Sequence, residues 1–288
     1  MRIIFSRKGF DSTAGGVASP IFPSGKVISL PIPVFGDNES FHTYDEITIG
    51  DSCLGPIVSE LTNNKISGGH FLHLDPDLYP ESVKRPDGWR PIFGQAGSAE
   101  AHLQNQGVGP GDIFLFYGWF NQLVPDVRPY RYAKQDQGMH VIFGWLQVDQ
   151  HLPVRKREEI PDWASKHQHC LRTPHDKKDF IYTSTPRLKV DSVLRDVPGG
   201  GVFKRYNDAL CLSETKQPSN TRSTWELPLW FHSSGRRHLS YHSRDSQWEE
   251  KGKHVLLQTV GRGQEFVLDC DEYPEAIKWL AGILSLAA

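Results

Sequence analysis

The residues Ser6-Arg7-Lys8-Gly9-Phe10-Asp11-Ser12-Thr13-Ala14-Gly15-Gly16 set two cations, a carboxylate, hydroxyls and three glycines directly behind the apolar run Ile3-Ile4-Phe5. Arg7 and Lys8 can hold an anion such as a phosphate. Asp11, with Lys8 and Ser12 beside it, can orient or deprotonate a hydroxyl or a water. Gly15 and Gly16 let a ligand approach the backbone, and the preceding strand is the rigid element that positions them. For any one of these residues a polar turn is the plainer reading. The cluster as a whole points to a site, because a turn needs one or two of these residue types and not all of them.

A second glycine-rich turn, Gly261-Arg262-Gly263-Gln264-Glu265, again combines a cation, an amide and a carboxylate. If both turns lie on one rim, Arg7, Lys8 and Arg262 form an anion clamp, and Asp11 and Glu265 form a carboxylate pair suited to acid–base work. Gln264 or Gln95 can then read a base edge by paired hydrogen bonds. The alternative is a local Arg262–Glu265 ion pair. Asp75-Pro76-Asp77 with His70 and His73 has the donors for a divalent ion, but Asp-Pro-Asp is also a common loop initiator. His167, His169, Cys170 and His175 have the residue types of a zinc site. His167 and His169 would lie on opposite sides of a helix, though on one face of an extended segment, and no second ligand pair follows at a recognisable spacing. No metal and no cofactor is assigned. Gly-x-Ser-x-Gly and Walker A patterns are absent, and Gly199-Gly200-Gly201 reads as a flexible turn.

The elements that must position these residues are mostly strands, expected over 2–5, 26–30, 113–117, 140–148, 180–183, 227–231, 254–259 and 265–268. Helices are expected over 98–106, where Ser98 caps and Gly107 ends the segment, over 158–169, and over 275–286, where Ile277, Leu280 and Leu284 form an apolar stripe. Long connections at 31–51 and 75–91 have the length of functional loops. The 288 residues carry 32 basic and 34 acidic side chains, a balance that excludes a general polycationic coat but not a local basic patch. Four scattered cysteines without a CxxC pair argue for a reducing, cytoplasmic setting. The N-terminal apolar stretch is too short for a signal peptide, and no window approaches a membrane span. The expected fold class is α+β, strand-rich, a single mixed domain over 1–288 with a C-terminal helix.

Gly109-Pro110-Gly111-Asp112 feeds the apolar run Ile113-Phe114-Leu115-Phe116-Tyr117-Gly118-Trp119-Phe120, which lacks alternation and should be buried on both faces. His140-Val141-Ile142-Phe143-Gly144-Trp145-Leu146-Gln147-Val148 follows after an arm bearing Arg128, Tyr130, Arg131, Tyr132 and Lys134. This pair resembles the small β-barrels of PUA-like and EVE-like domains, which hold an extruded or modified base. Two buried strands of any barrel would look the same.

Over nearly its full length the chain resembles the nucleotide modification associated domain of the third type. The likeness is carried by the 5–12 segment with Gly15-Gly16, Ser19-Pro20-Ile21, His73-Leu74-Asp75-Pro76-Asp77-Leu78, Phe93-Gly94-Gln95, His102-Leu103-Gln104-Asn105-Gln106-Gly107-Val108, the two apolar strands, and Gly261-Arg262-Gly263-Gln264-Glu265-Phe266. The family was grouped by genomic association with DNA base modification in bacteria and phages. The resemblance implies a DNA or nucleotide partner and other proteins of a modification system, and it brings no established reaction. The leading expectation is a nucleobase- or nucleotide-handling protein performing group transfer or hydrolysis at a base or sugar. Lys8, Asp11, Ser12 and Glu265 would be catalytic, and Arg7, Gly15, Gly16, Gln95, Trp119, Arg262 and Gln264 would contact nucleic acid or phosphate. The alternatives are a non-catalytic reader of modified bases, with Trp119, Tyr130 or Tyr132 stacking on the base, and a metal-dependent nuclease using Asp75 and Asp77.

Overall fold

The computed structural model describes residues 1–35, 42–133, 137–172, 176–190, 194–217, 221–261 and 265–287. Its strands are β1 (Arg2–Arg7), β2 (Ser19–Ile21), β3 (Ile32–Val34), β4 (Thr48–Ile49), β5 (Ser52–Cys53), β6 (Phe71–His73) and β7 (Ile92–Ala96). Then follow β8 (Ile113–Gln122), β9 (Met139–Pro153), β10 (Asp179–Ser184), β11 (Gly200–Val202), β12 (Thr224–Pro228), β13 (Trp248–Lys251), β14 (His254–Gln258) and β15 (Glu265–Asp269). The α-helices are α1 (Leu54–Leu61), α2 (Gly97–Asn105), α3 (Gln168–Leu171) and α4 (Glu275–Leu284).

Eight strands form one mixed sheet whose main path runs β15-β1-β8-β9-β10-β7, with β2 on β8 and β11 on β9. β1 and β2 run parallel to β8, and the other pairs are antiparallel. The apolar runs expected at 113–117 and 140–148 are the two central strands, and Ile113, Phe114, Leu115 and Phe116 have no exposed surface. β9 is long enough to serve two partners, pairing β8 through 139–147 and β10 through 148–153, with register breaks on both sides. Such breaks bend a sheet. This one curls until its two end strands, β15 and β7, are within side-chain reach of each other. Among the described residues the backbone ladder does not close into a barrel, so the small barrel expected here is instead a strongly curled open sheet.

The main core draws Ile3, Ile4 and Phe5 from the first strand and Leu280, Ile283 and Leu284 from the last helix into one cluster with Phe114, Phe116 and Trp225. A second core gathers Phe10, Leu30, Tyr44 and Leu72 around α1, and a third lies under the segment leading to α3. No helix among the described residues is long and apolar enough to cross a membrane.

Three expected elements differ. The helix expected over 158–169 is instead two 3₁₀ turns, Arg157–Glu159 and Asp162–Ala164, followed by the short α3. Pro161 lacks an N–H and pushes Ile160 into extended backbone, which breaks the helix. Residues 26–30 make only isolated bridges, at Lys26 and Val27. The strand placed at 227–231 ends at Pro228, and a 3₁₀ turn takes Leu229–Phe231.

Two buried imidazoles tie this fold to pH. His140 Nδ1 accepts the Trp225 Nε1–H bond at 3.0 Å, and burial, then the Arg222 and Arg7 charges, push its pKa down to about 3. Burial lowers His242 to about 4 against the opposing Ser240 carbonyl. Both groups titrate near 6.5 when unfolded, so between that value and the folded values the unfolded chain binds more protons. Stability is therefore complete above about pH 6.5 and falls with acidification by about 1.4 kcal/mol per pH unit and per imidazole. Urea denaturation at pH 7 and pH 5 checks this, and His140→Gln should flatten the dependence.

Candidate functional site

β1 runs into the N-terminal turn, and its pairing with β15 sets Ser6 opposite Glu265. The Glu265 side chain is 1% exposed and takes three hydrogen bonds on Oε1. They come from Gln95 Nε2 at 2.6 Å, Lys8 Nζ at 3.1 Å and Ser6 Oγ at 3.2 Å. Lys8 also rides over the Phe93 ring, 4.5 Å from its centroid. Phe93 and Gln95 belong to β7, at the opposite end of the sheet path from β15. Curling of the sheet is thus what assembles Lys8, Gln95 and Glu265. Gln95 Oε1 also accepts the Ala96 N–H at 3.0 Å, so Gln95 acts as a strut under Glu265 and does not present both amide groups to a base edge.

Arg7 Nη2 meets the Gly261 carbonyl at 3.4 Å, which places the ends of the two glycine-bearing turns side by side. Arg262 and Gln264, expected to complete the clamp and read a base, lie outside the described residues, as do Lys134 and His175. Asp11 spends Oδ1 on its own turn, accepting from Thr13 N, Thr13 Oγ1 and Ala14 N, each at 2.7 Å. Burial works to raise its pKa, but those bonds and the Arg7 charge outweigh it and hold the carboxyl below its usual range. Among the described residues no hydrogen bond or ion pair joins Asp11 to Glu265. Ser12 is exposed. Gly15, at φ +90°, is required by packing, since a Cβ there would sit 2.2 Å from the Phe10 ring. Gly16 faces open space.

Trp119 donates Nε1–H to the Gln137 carbonyl at 2.8 Å and carries the Arg222 guanidinium 4.3 Å over its ring. Arg222 is near enough to Arg7 and Asp11 to feel their charges, so this stack borders the N-terminal turn. No motif singles out Arg222 in the sequence. Of the other expected stacking residues, Tyr132 is used internally, whereas Tyr130 is half-buried and carries the Arg128 guanidinium 4.2 Å over its ring. Tyr130 packs edge-on against Phe22, and Tyr132 Oη donates to the Ala18 carbonyl at 2.5 Å.

The two histidine-bearing segments, read separately in the sequence, converge on one carboxylate. His73 closes β6, Asp75 follows it, and His167 and His169 flank the start of α3. His73 Nε2 and His169 Nε2 each lie 3.9 Å from Asp75 Oδ2, and His167 Nε2 lies 3.4 Å from Asp75 Oδ1. Oδ1 also accepts the Gly94 N–H at 2.7 Å. His169 Nδ1 meets Asp179 Oδ1 at 2.5 Å. Burial tends to raise Asp75, but His167 and the charges of His169 and His73 hold it well below the usual carboxylate range. Burial lowers His73 to about 4, with Asp75 opposing and His169, His167 and Lys8 adding to the fall. Lys8 is therefore an electrostatic neighbour of this cluster.

Asp77 is not part of it. Its carboxylate takes the Arg85 guanidinium in a two-pronged pair at 2.6 and 2.5 Å, so the Asp75–Asp77 pairing behind the nuclease expectation is replaced by Asp75 with histidines. His70 is engaged with Ser67. Cys170 is buried, and burial followed by the Asp179 charge pushes its thiol up to about 12, against the small opposing effect of Arg157.

β7 joins the two halves. Phe93 underlies Lys8, Gly94 backs His169 and holds Asp75, and Gln95 bonds Glu265. No curated protein and no solved structure matches the chain. The family model for nucleotide modification associated domain 3 matches residues 2–269, a span that contains every residue of this site. The chain belongs to the nucleotide modification associated domain 3 family.

Proposed function

We propose that the chain acts on a nucleobase or nucleotide in a DNA-modification pathway, with Lys8 as the group that meets the substrate. The observation that carries this reading is the convergence of Lys8, Gln95 and Glu265 from opposite ends of the sheet onto one buried carboxylate oxygen. The Lys8 side chain is 10% exposed, so its ammonium is held and not mobile. One of its three N–H groups goes to Glu265, and among the described residues the others are left for a phosphate or for negative charge developing on a base or sugar oxygen. A preorganised cation of this kind suits group transfer or hydrolysis. Glu265 and Gln95 are positioning residues, and Asp11 holds the turn that follows Arg7 and Lys8. The reading treats 1–288 as one domain, supported by a core that unites Phe5 with Leu280.

A second reading, a non-catalytic reader of modified DNA, is favoured by the Arg222–Trp119 stack beside Arg7. An aromatic face with cations around it is a platform for a base. One experiment separates the two. The purified chain is incubated with modified phage DNA, plain DNA and free nucleotides, then nucleoside masses and gel retention are read on the same samples. The enzyme reading expects a new nucleoside mass, about a hundredfold less of it for Lys8→Met, and near-native conversion for Asp11→Asn, whose amide oxygen can accept the same turn hydrogen bonds. Selective retention with unchanged masses supports the reader instead.

A further inference from the structure

We propose that His73, Asp75 and His169 bind one divalent first-row transition-metal ion, with Asp179 as the group that orients His169. The three donor atoms lie within 4.8 Å of one another. A metal at ordinary bond lengths of about 2.0–2.2 Å needs ligands about 3–3.5 Å apart, so the 3.9 Å separations from each imidazole to Asp75 require a contraction of about half an ångström and the outer limit of 4.8 Å one of more than about 1 Å.

Hydrogen bonding points the donors at a cation. Asp179 accepts from His169 Nδ1, so in the neutral ring the Nε2 lone pair is the atom set 3.9 Å from Asp75 Oδ2. Two acceptors set against each other in a buried site are unfavourable unless a proton or a metal lies between them. A carboxylate behind a metal-binding imidazole is the usual outer support of such sites. Gly94 N–H pins Asp75 Oδ1 and leaves Oδ2 to the imidazoles. One further buried atom, Asp179 Oδ2, makes no hydrogen bond although its side chain is 0% exposed, and His167 Nε2, on a side chain 1% exposed, has only a long 3.4 Å approach to Asp75 Oδ1. Unsatisfied polar atoms are costly at such burial, and both of these residues touch the proposed ligand shell.

The donor set selects the class of ion. Two imidazoles with one carboxylate suit zinc(II), iron(II) and their neighbours, whereas calcium and magnesium prefer all-oxygen shells. Three protein ligands leave coordination positions open, as catalytic and not structural sites do. The site stands without the nucleotide reading, because metal binding is measured with no substrate present.

The test is metal analysis of the chain as purified, followed by stripping with a chelator and titration with cobalt(II) by visible absorption and zinc(II) by calorimetry. About one ion per chain is expected, and zinc should raise Tm. His73→Ala, Asp75→Ala and His169→Ala should each weaken binding at least a hundredfold, Asp179→Asn about 10–100-fold, and His70→Ala not at all. Circular dichroism establishes that each variant is folded, and Asp179→Asn keeps the test alive should a ligand variant fail to fold. Failure of the native chain to retain or titrate any of these ions overturns the proposal, as does native affinity in His169→Ala. A chain that binds the ion but alters no nucleoside keeps the metal site and defeats the enzyme reading.

Discussion

Glu265→Ala is expected to destabilise the chain by about 3–5 kcal/mol, the cost of removing one partner from a buried ion pair. Glu265 is 1% exposed and its Oε1 receives Lys8, Gln95 and Ser6 together. Its removal leaves Lys8, 10% exposed, as a charge without its counter-ion, and strands the Gln95 amide beneath the sheet. It also cuts a link between β15 and β7, the two ends of the curled path. Removing both charges should be milder: Lys8→Met with Glu265→Leu replaces the pair by apolar groups of similar size and should cost less than Glu265→Ala alone. Urea denaturation of the three variants makes the comparison. A Glu265→Ala chain within about 1 kcal/mol of native stability would show a solvated surface pair, and the account of Lys8 as a held cation would fall with it.

The parts legible in the sequence are those where local chemistry and final position agree. β8 and β9 could be read because strands covered on both faces lose their polar alternation, and α4 because its apolar residues recur at the helical period. α1 escaped notice because Gly55 and Pro56 sit in its first turn and signal a loop. Pro161 was the opposite case, a breaker inside a stretch otherwise patterned as a helix. Lys8 and Glu265 were legible as members of polar turns, because one follows the end of β1 and the other opens its neighbour β15. Which of their neighbours would matter was not. Asp11, the expected proton acceptor, is absorbed by its turn, and Gln95 becomes a strut. His73 and Asp75 belong to one segment and His167 and His169 to another. Each segment places its residues two apart in sequence, one through a tight turn and the other across the start of α3, but nothing local tells either segment that the other exists. Their meeting depends on how β9 bends and where β7 lands, which is tertiary information. Phe93 and Gly94 were visible only as part of a family resemblance and Gln95 only as a candidate base-reading amide, although the three connect Lys8 and Glu265 to Asp75 and His169.

Gly94→Ala should disturb the histidine cluster more than any other single-methyl change in β7. A Cβ at this position would lie 2.2 Å from His169 Cδ2 and 2.6 Å from Nε2, far inside contact distance. Gly94 sits within a regular strand and its backbone is open to alanine, so the strain comes only from the ring. The ring has little room to yield, because Nδ1 is held by Asp179 and α3 packs on β7 and β10. Overpacking of this kind costs about 1–3 kcal/mol, and the displaced imidazole moves away from Asp75. Phe93 and Gln95 point to the opposite face of the strand, so the Lys8–Gln95–Glu265 group should survive. Loss of zinc-induced stabilisation with an intact Glu265 pair would separate the two halves of the site. The decisive form is a double-mutant cycle with His169→Ala: once the ring is gone, Gly94→Ala should cost almost nothing, a coupling of about 1–3 kcal/mol. Additive energies would mean that the ring does not press on Gly94, and that β7 does not set the position of His169.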